Sequence, residues 1–337
     1  MDLTPESLGT GVFSFIMGCF MKDKVFLTVD EQISLLKSKN LKFKDEAKAK
    51  ELLTNIGYYK LINAYRIPFM TYVDGNHTFC DNAYFEDIVE LYNFDRSLKT
   101  IVFEATTNIE IRIKSLLSQV FSKNYGVDNN LYLVPQNFES DDKTEYKFKD
   151  MKNHINSELD KQYKNEHSTI KWYKDNYNYY PFWVVANILS LGSISKIFSK
   201  LKTKDQIEIS KNYKLMNDYV ASYIKHITLV RNLCAHNDVL YRYKSKNAIP
   251  QKIKRVKEIY EFLEIKKNEV TGRYEKGSND FLSTIIIFKL MLPKKEYNDF
   301  KTKFTSIYQR LSKKIDIKFF EKIRIELGIV ENWNKIK

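Results

Sequence analysis

Between Glu86 and about Lys123, apolar residues recur at three- and four-residue steps: Ile88, Leu91, Leu98, Ile101, Val102, Ala105, Ile109, Leu116 and Val120. That period belongs to a helix with one buried face. At 1.5 Å per residue the helix would reach roughly 50 Å, long for a small domain. Thr106, Thr107 and Asn108 are poor helix formers and mark a place where it can bend. The chain has only ten Gly and six Pro in 337 residues. That scarcity argues against an all-β or dinucleotide-binding α/β design, both of which consume turns and glycine-rich loops.

The flanking segments also read as helices. Thr28 and Glu31 in "TVDEQISLLKSKN" form a capping box. A second helix covers Glu46 to Asn55 and stops at Gly57. "GYYKLINAYRIPFM" is aromatic and ends against Pro68, and "VDGNHTF" holds an Asp-Gly turn with room for two short strands. Residues 124–145 read as a polar loop, followed by a charged helix over Tyr146 to His167. Gly192 interrupts the apolar run after Pro181, and Thr203 with Gln206 predicts another capping box. "NDYVASYIKHITLVRNLCAH" is the next helix, with Val220, Tyr223, Ile224, Ile227, Val230 and Cys234 inward. Pro250 closes that unit, and two to four helices follow, with "TGRYEKGSN" as a loop. The expected fold class is all-α. The expected divisions are an N-terminal segment 1–25, a helical region 26–80, a bundle 81–247 and a C-terminal helical region 248–337.

Charge is unevenly distributed. The net charge is +13, and Lys196 to Lys257 alone holds fifteen Lys or Arg against four acids, a net +11. Such concentration favours a polyanion partner, while a solvated lysine-rich surface is the competing account. Cys19, Cys80 and Cys234 are far apart and form no CxxC pair, so neither a zinc site nor a disulfide framework is expected, and a reducing cytoplasm is the simplest setting. No phosphate-cradling glycine motif occurs, and no cofactor is expected. The apolar stretch 11–21 is too short to span a bilayer, and no Lys or Arg precedes it. It reads as a buried or partner-covered segment, with a signal-peptide core as the alternative and Met21 as an alternative start. No membrane association is expected.

The chemistry concentrates in "LVRNLCAHNDVLYRY", residues 229–243. On one helix Asn232 and His236 share a face one turn apart, with Lys225 and Thr228 behind them and Arg231 alongside. An imidazole can move protons between a ribose 2′-hydroxyl and a leaving 5′-oxygen. A guanidinium stabilises the extra negative charge at phosphorus, and the Asn232 amide can orient either group. By spacing alone, an Arg near a helix end with a capping His is the better account of the pair. No Ser, Cys or Asp is arranged for a triad, and no second His stands where it would share a metal with His236. Lys225, Arg242, Lys244 and Lys246 are the candidate RNA-binding cations. Glu104, Glu110 and Arg112 on the long helix are expected to form structural ion pairs, and orienting the catalytic groups is the alternative. His226 is expected to be structural, and Tyr58, Tyr59 and Tyr65 to pack in the core.

"RNLCAHN" resembles the RNxxxH motif of HEPN-domain ribonucleases. Its context resembles one branch of them, the Abi-like abortive-infection proteins of AbiD/AbiF type. "FLTVDEQISLLKSKNL", "IGYYKLINAYRIPF", the segment from Phe85 to Gly126, "PFWVVANILSLGSISKIFSKL" and "LVRNLCAHNDVLYRY" fall in family order across about 26–245. The resemblance implies a HEPN-type helical bundle with extra N- and C-terminal helices. It also implies a metal-independent endoribonuclease acting as a toxin in phage abortive infection and leaving 2′,3′-cyclic phosphate and 5′-OH ends. Arg231 and His236 match the catalytic pair, and Asn232 the polar residue after the Arg. A homodimer with a composite site is implied, with RNA as substrate and an inhibitory or guide-like small RNA as a further partner. Two places depart from the family pattern: Asn187, where many relatives carry Glu, and Val239-Leu240-Tyr241-Arg242. A non-catalytic RNA-binding scaffold or sensor in a defence or toxin–antitoxin system is the alternative function.

Overall fold

The computed structural model describes residues 25–73, 75–139 and 144–336. The apolar stretch 11–21, Cys19 and Met21 lie outside the described residues. The chain divides into two compact units, Met1–Asn63 with Met70–Glu86, and Ala64–Phe69 with Asp87–Lys337.

In the first unit, α1 (Val29–Ser38) packs against α2 (Glu46–Ile56). The Thr28–Glu31 capping box forms in both directions, and Asp45 caps α2 through the Lys48 N–H. Gly57 ends α2 at φ 88°, a conformation that glycine adopts without penalty. Strands β1 (Met70–Val73) and β2 (Asn76–Phe79) pair antiparallel with Met70 opposite Phe79. The two short strands for which the sequence leaves room therefore pair, while Asp74 between them lies outside the described residues. Leu36, Leu41, Leu53 and Phe79 are buried in this unit.

The second unit is helical. In order it comprises α3 (Phe85–Tyr125) from Asp87 onward, α4 (Asn129–Tyr132), α5 (Thr144–Lys164), α6 (Ser168–Tyr177), α7 (Phe182–Ile188), α8 (Leu191–Phe198) and α9 (Thr203–Lys211). Then follow α10 (Asn217–Ala235), α11 (Lys254–Phe262), α12 (Phe281–Met291), α13 (Lys294–Lys314) and α14 (Ile317–Leu327). The all-α expectation holds. The α3 helix runs unbroken for 41 residues, about 60 Å. Thr106 and Thr107 satisfy their hydroxyls on the Phe103 carbonyl inside the helix, so these weak helix formers do not end it.

Three local expectations need correction. The 124–145 stretch is not plain loop. It contains α4, whose Tyr132 is fully buried and donates to the Tyr180 carbonyl at 2.5 Å. Thr203 is not an N-cap but the first residue of α9. Its N–H and hydroxyl both donate to Glu139, 64 residues away, which removes the hydroxyl from a capping box. The break after Pro181 falls at Leu189–Ser190 and not at Gly192. The Ser190 side chain caps α8, and Gly192 lies inside that helix.

Helix α10 packs against α8, α9 and α12. Val220, Tyr223, Ile224, Ile227 and Val230 are all buried on its inward face. Helix α12 is apolar all round and buried over its length except for the half-exposed Lys289, as a core helix should be. The one polar tie between these two helices among the described residues is His226 Nε2 to Thr284 Oγ1 at 3.0 Å. His226 is thus structural. On the far side of the unit, α13 runs antiparallel beside α3. Glu296 meets Arg112 at 3.9 Å, Lys303 meets Glu104 at 2.6 Å and Lys314 meets Glu90 at 2.7 Å, in reversed order along the two helices. Exposed pairs contribute about 0–1 kcal/mol each. They set register, while the buried Phe300 and Phe304 of α13 pack against Phe288 and Phe281 of α12 and against Trp333. Glu104 and Arg112 are therefore structural ion pairs.

Burial pushes the His226 imidazole down from its ordinary 6.5 to about 4, so it is neutral in the folded chain near pH 7. The unfolded chain takes up this proton below pH 6.5. The stability that depends on neutral His226 is therefore complete above that pH and is lost as the pH falls towards 4. Between pH 7 and 4.5 the loss from this group is on the order of 2–3 kcal/mol. In His226→Gln, the drop in urea unfolding free energy between those two pH values is expected to shrink by that amount.

Candidate active site at the end of helix α10

Helix α10 stops where its motif stops, for a local reason. His236 is the C-cap residue and Asn237 follows in the left-handed region at φ 58°. The Asn237 N–H donates to the Cys234 carbonyl at 3.3 Å and the Asp238 N–H to the Leu233 carbonyl at 2.9 Å. This is a Schellman ending with Asn in the position glycine usually takes. The His236 N–H still bonds the Asn232 carbonyl at 2.9 Å, so both motif residues belong to one continuous turn.

What holds that ending in place comes from α3. Asp95 is completely buried and accepts from the Tyr65 hydroxyl at 2.8 Å, the Tyr241 N–H at 2.7 Å and the Leu240 N–H at 3.2 Å. Lys99, one turn on, lies 3.3 Å from Asp95 and donates to the Asn237 side-chain oxygen at 2.7 Å. Burial pushes the Asp95 pKa up, and the Lys99 ammonium and these donors oppose that shift. Tyr65 stacks on Tyr241 at 5.9 Å and meets Tyr92 edge-on at 5.5 Å. The stretch from Val239 to Arg242 thus contains a clasp. Leu240 and Tyr241 are fully buried, and their amides fix the exit of the chain from the motif.

Further along the same flank of α3, Phe103 and Glu110 face Arg231. The guanidinium carbon lies 5.4 Å from the Phe103 ring centre, within range of a cation–π contact. Nε lies 3.8 Å from a Glu110 oxygen. That is too long for a hydrogen bond, and Nε has no hydrogen-bond partner. The attraction is therefore electrostatic. The other Glu110 oxygen is taken by Lys114 at 2.8 Å. Among the described residues neither Nη of Arg231 is engaged in a hydrogen bond. The arginine is held at the base of its fork, and the two prongs are free.

Asn232 and His236 are exposed, and among the described residues their side chains have no hydrogen bond or ion pair. Lys225, two turns earlier, is exposed as well. Burial pushes the Cys234 thiol up to about 12, so the motif's cysteine is no nucleophile near neutral pH. Lys246 is exposed. Lys244 donates to the Glu326 carbonyl at 2.9 Å, at the end of α14, and Arg242 is half-buried beside Tyr241. Asn187 is exposed on α7, while Tyr65 is in the core and Tyr59 is exposed. Among the described residues no group of His, Cys, Asp and Glu could hold a metal ion.

Asp95, Lys99, Phe103 and Asn237 were not picked out from sequence. The available signal was an Asp and a Lys at i and i+4 inside an otherwise apolar stripe, where two charges have no reason to be unless they face each other or a third group. Replacing Asp95 by Ala leaves Lys99 buried without its counter-charge and two amides without acceptors. A cost of about 3–5 kcal/mol is expected, read as a lowered urea midpoint. Asp95→Asn, which keeps the shape and one acceptor, should cost less.

A family model described as Abi-like protein matches residues 51–242, a span that includes Asp95, Lys99, Phe103, Glu110, Arg231 and His236. No curated protein matches the chain, and no solved structure does. With more than half its length matched and its motif helix and clasp inside the matched span, the chain belongs to the Abi-like protein family.

Proposed function

We propose that this protein is a metal-independent endoribonuclease of HEPN type, acting as the effector of an abortive-infection system in the cytoplasm. Membership of the Abi-like family associates it with abortive infection and defence. The observation that carries the catalytic reading is the state of Arg231. It is anchored by Phe103 and Glu110 with its prongs free, five residues before the exposed imidazole of His236.

The chemistry follows from those two groups. A neutral imidazole takes the proton of a ribose 2′-hydroxyl, whose oxygen attacks the adjacent phosphorus. The P–O5′ bond breaks, and the leaving oxygen takes a proton from an imidazolium. The products are a 2′,3′-cyclic phosphate and a 5′-OH. The Arg231 prongs stabilise the additional negative charge on the phosphoryl oxygens, and Asn232 orients the substrate or the imidazole. Two copies of the motif facing across a two-fold would supply one imidazole as base and a second as acid. A homodimer is part of the proposal. Lys225, Arg242, Lys244 and Lys246 supply phosphate contacts around that cleft. An enzyme of this kind must be silenced in uninfected cells, and a small inhibitory RNA fits its basic surface.

One observation favours the alternative, a non-catalytic RNA-binding scaffold or sensor. Glu110 offsets part of the Arg231 charge, which weakens a catalytic cation but does not prevent phosphate binding. The two accounts separate in one experiment. Arg231→Ala and His236→Ala are each expected to abolish growth arrest or phage protection. Wild type is expected to generate 5′-OH RNA ends in EDTA, with losses of about 10²–10⁴-fold in either variant. Protection equal to wild type in both variants sinks the nuclease. Glu110→Gln, which keeps shape but frees Arg231 to wander, is expected to slow cleavage about tenfold while leaving RNA affinity within about twofold. An unchanged rate would remove Glu110 from the site.

A further inference from the structure

We propose that the solvent-facing side of α13, from Lys301 to Lys313, is a phosphate track for single-stranded RNA entering the Arg231 site. The proposal rests on the ribonuclease reading and adds to it a surface outside the segment matched to the family.

The first observation is charge. Between Phe300 and Asp316 the sequence holds five Lys or Arg and no acid. Two of the five, Lys303 and Lys314, are spent on α3 carboxylates. Lys301 donates to the Ile336 carbonyl at 3.1 Å and so keeps its charge uncompensated. Among the described residues Arg310 and Lys313 have neither an ion pair nor a hydrogen bond, and both are exposed. The exposed acids at either end, Asp299 and Asp316, bound the strip.

The second observation is shape and lining. Lys301, Thr302, Ser306, Gln309, Arg310 and Lys313 line a shallow groove of about 720 Å³. They recur at three- and four-residue steps, so they form one face of the helix. From Lys301 to Lys313 that face runs about 18 Å. Hydroxyl and amide donors alternate with cations along it, as suits successive phosphates better than one compact anion. No aromatic ring lines the groove, so it has nothing on which bases would stack. It would hold the backbone without reading sequence.

The third observation is position. Arg231 rests on Phe103, and Lys303 of α13 is paired with the next residue of α3, Glu104. The Lys301 end of the groove therefore lies at the level of the motif, and Arg310 and Lys313 continue from it towards Glu90, about 10–15 Å further along the helix. Packed helix axes lie 8–10 Å apart as a rule. A strand with its scissile phosphate at Arg231 crosses the exposed stripe of α3 and reaches α13 within a few nucleotides. Arg310 and Lys313 are then phosphate contacts without a part in the chemical step.

The test uses a 5′-fluorescein-labelled 20-nucleotide single-stranded RNA of mixed sequence, with fluorescence anisotropy, in a His236→Ala background so the probe remains whole. R310E/K313E is expected to weaken binding at least tenfold in low salt. Losing two phosphate contacts should also reduce the slope of log K against log salt by about 1.4. R310Q/K313Q should fall between that variant and the parent, and both should keep the parent's melting temperature. Unchanged affinity and slope in R310E/K313E overturn the track. If Arg231→Ala weakens binding in the same assay, the site reading stands while the track falls. If the parent does not bind the probe and wild type cuts no RNA, both fall. Loss of binding to phosphatidylglycerol vesicles with RNA affinity intact assigns the strip to membranes and overturns the proposal.

Discussion

A buried carboxylate and a buried ammonium one turn apart on α3 decide how the motif helix ends. Asp95 has no exposure to solvent, and Lys99 has almost none. Neither charge can remain there without partners, because desolvation costs several kcal/mol per ion. Their partners are the Tyr65 hydroxyl, the amides of Leu240 and Tyr241, and the Asn237 side chain. The contacts to Asn237, Leu240 and Tyr241 reach across 138 to 146 residues of sequence. They hold Asn237 in its left-handed turn, and that turn ends α10 just after His236. Removing the pair would leave the motif as a fraying helix end. A frayed end cannot keep an arginine and a histidine in a constant relation, and phosphoryl chemistry needs that constancy.

The same α3 flank carries Phe103 and Glu110 against Arg231, and the opposite flank carries the carboxylates that register α13. One long helix thus positions the motif, supplies its supporting contacts and sets the place of the C-terminal helices. Its length explains why a segment with only a modest apolar face is helical throughout. Each stretch is held by a different neighbour, and weak helix formers in the middle are tolerated because tertiary packing outweighs propensity. The stretch from Val239 to Arg242 has a physical account as well. That stretch contributes two backbone amides and two buried side chains, Leu240 and Tyr241. Backbone donors place a weaker constraint on side-chain identity than a charged contact would.

Much of the site was legible from residues alone. The period of three and four predicts α3 to within a few residues, and the capping box signalled by Thr28 and Glu31 forms as expected. Helix geometry puts Asn232 and His236 on one face. The capping signal at Thr203 fails because a more distant carboxylate, Glu139, competes for the same hydroxyl. Local pattern cannot register such a competitor. Glu104, Glu110 and Arg112 show the limit more sharply. They are three charged residues within nine positions of one helix, equivalent by composition. Only Glu110 faces Arg231, because only its angular position lies on the α10 side.

The sequence by itself determined that this chain is helical, where its longest helix runs, which fifteen-residue stretch carries an Arg, an Asn and a His in usable spacing, and which family that stretch resembles. These follow from periodicity and local chemistry, whose range is a turn or two. Tertiary structure alone decided that Arg231 is clamped at its base and open at its prongs and that Cys234 is inert. It also decided that the stretch after His236 is a clasp and that α13 lies at the level of the motif across α3. Each of these depends on which side of a helix meets which distant segment. That is settled by burial of charge and by packing over a hundred residues or more, beyond the reach of any local pattern.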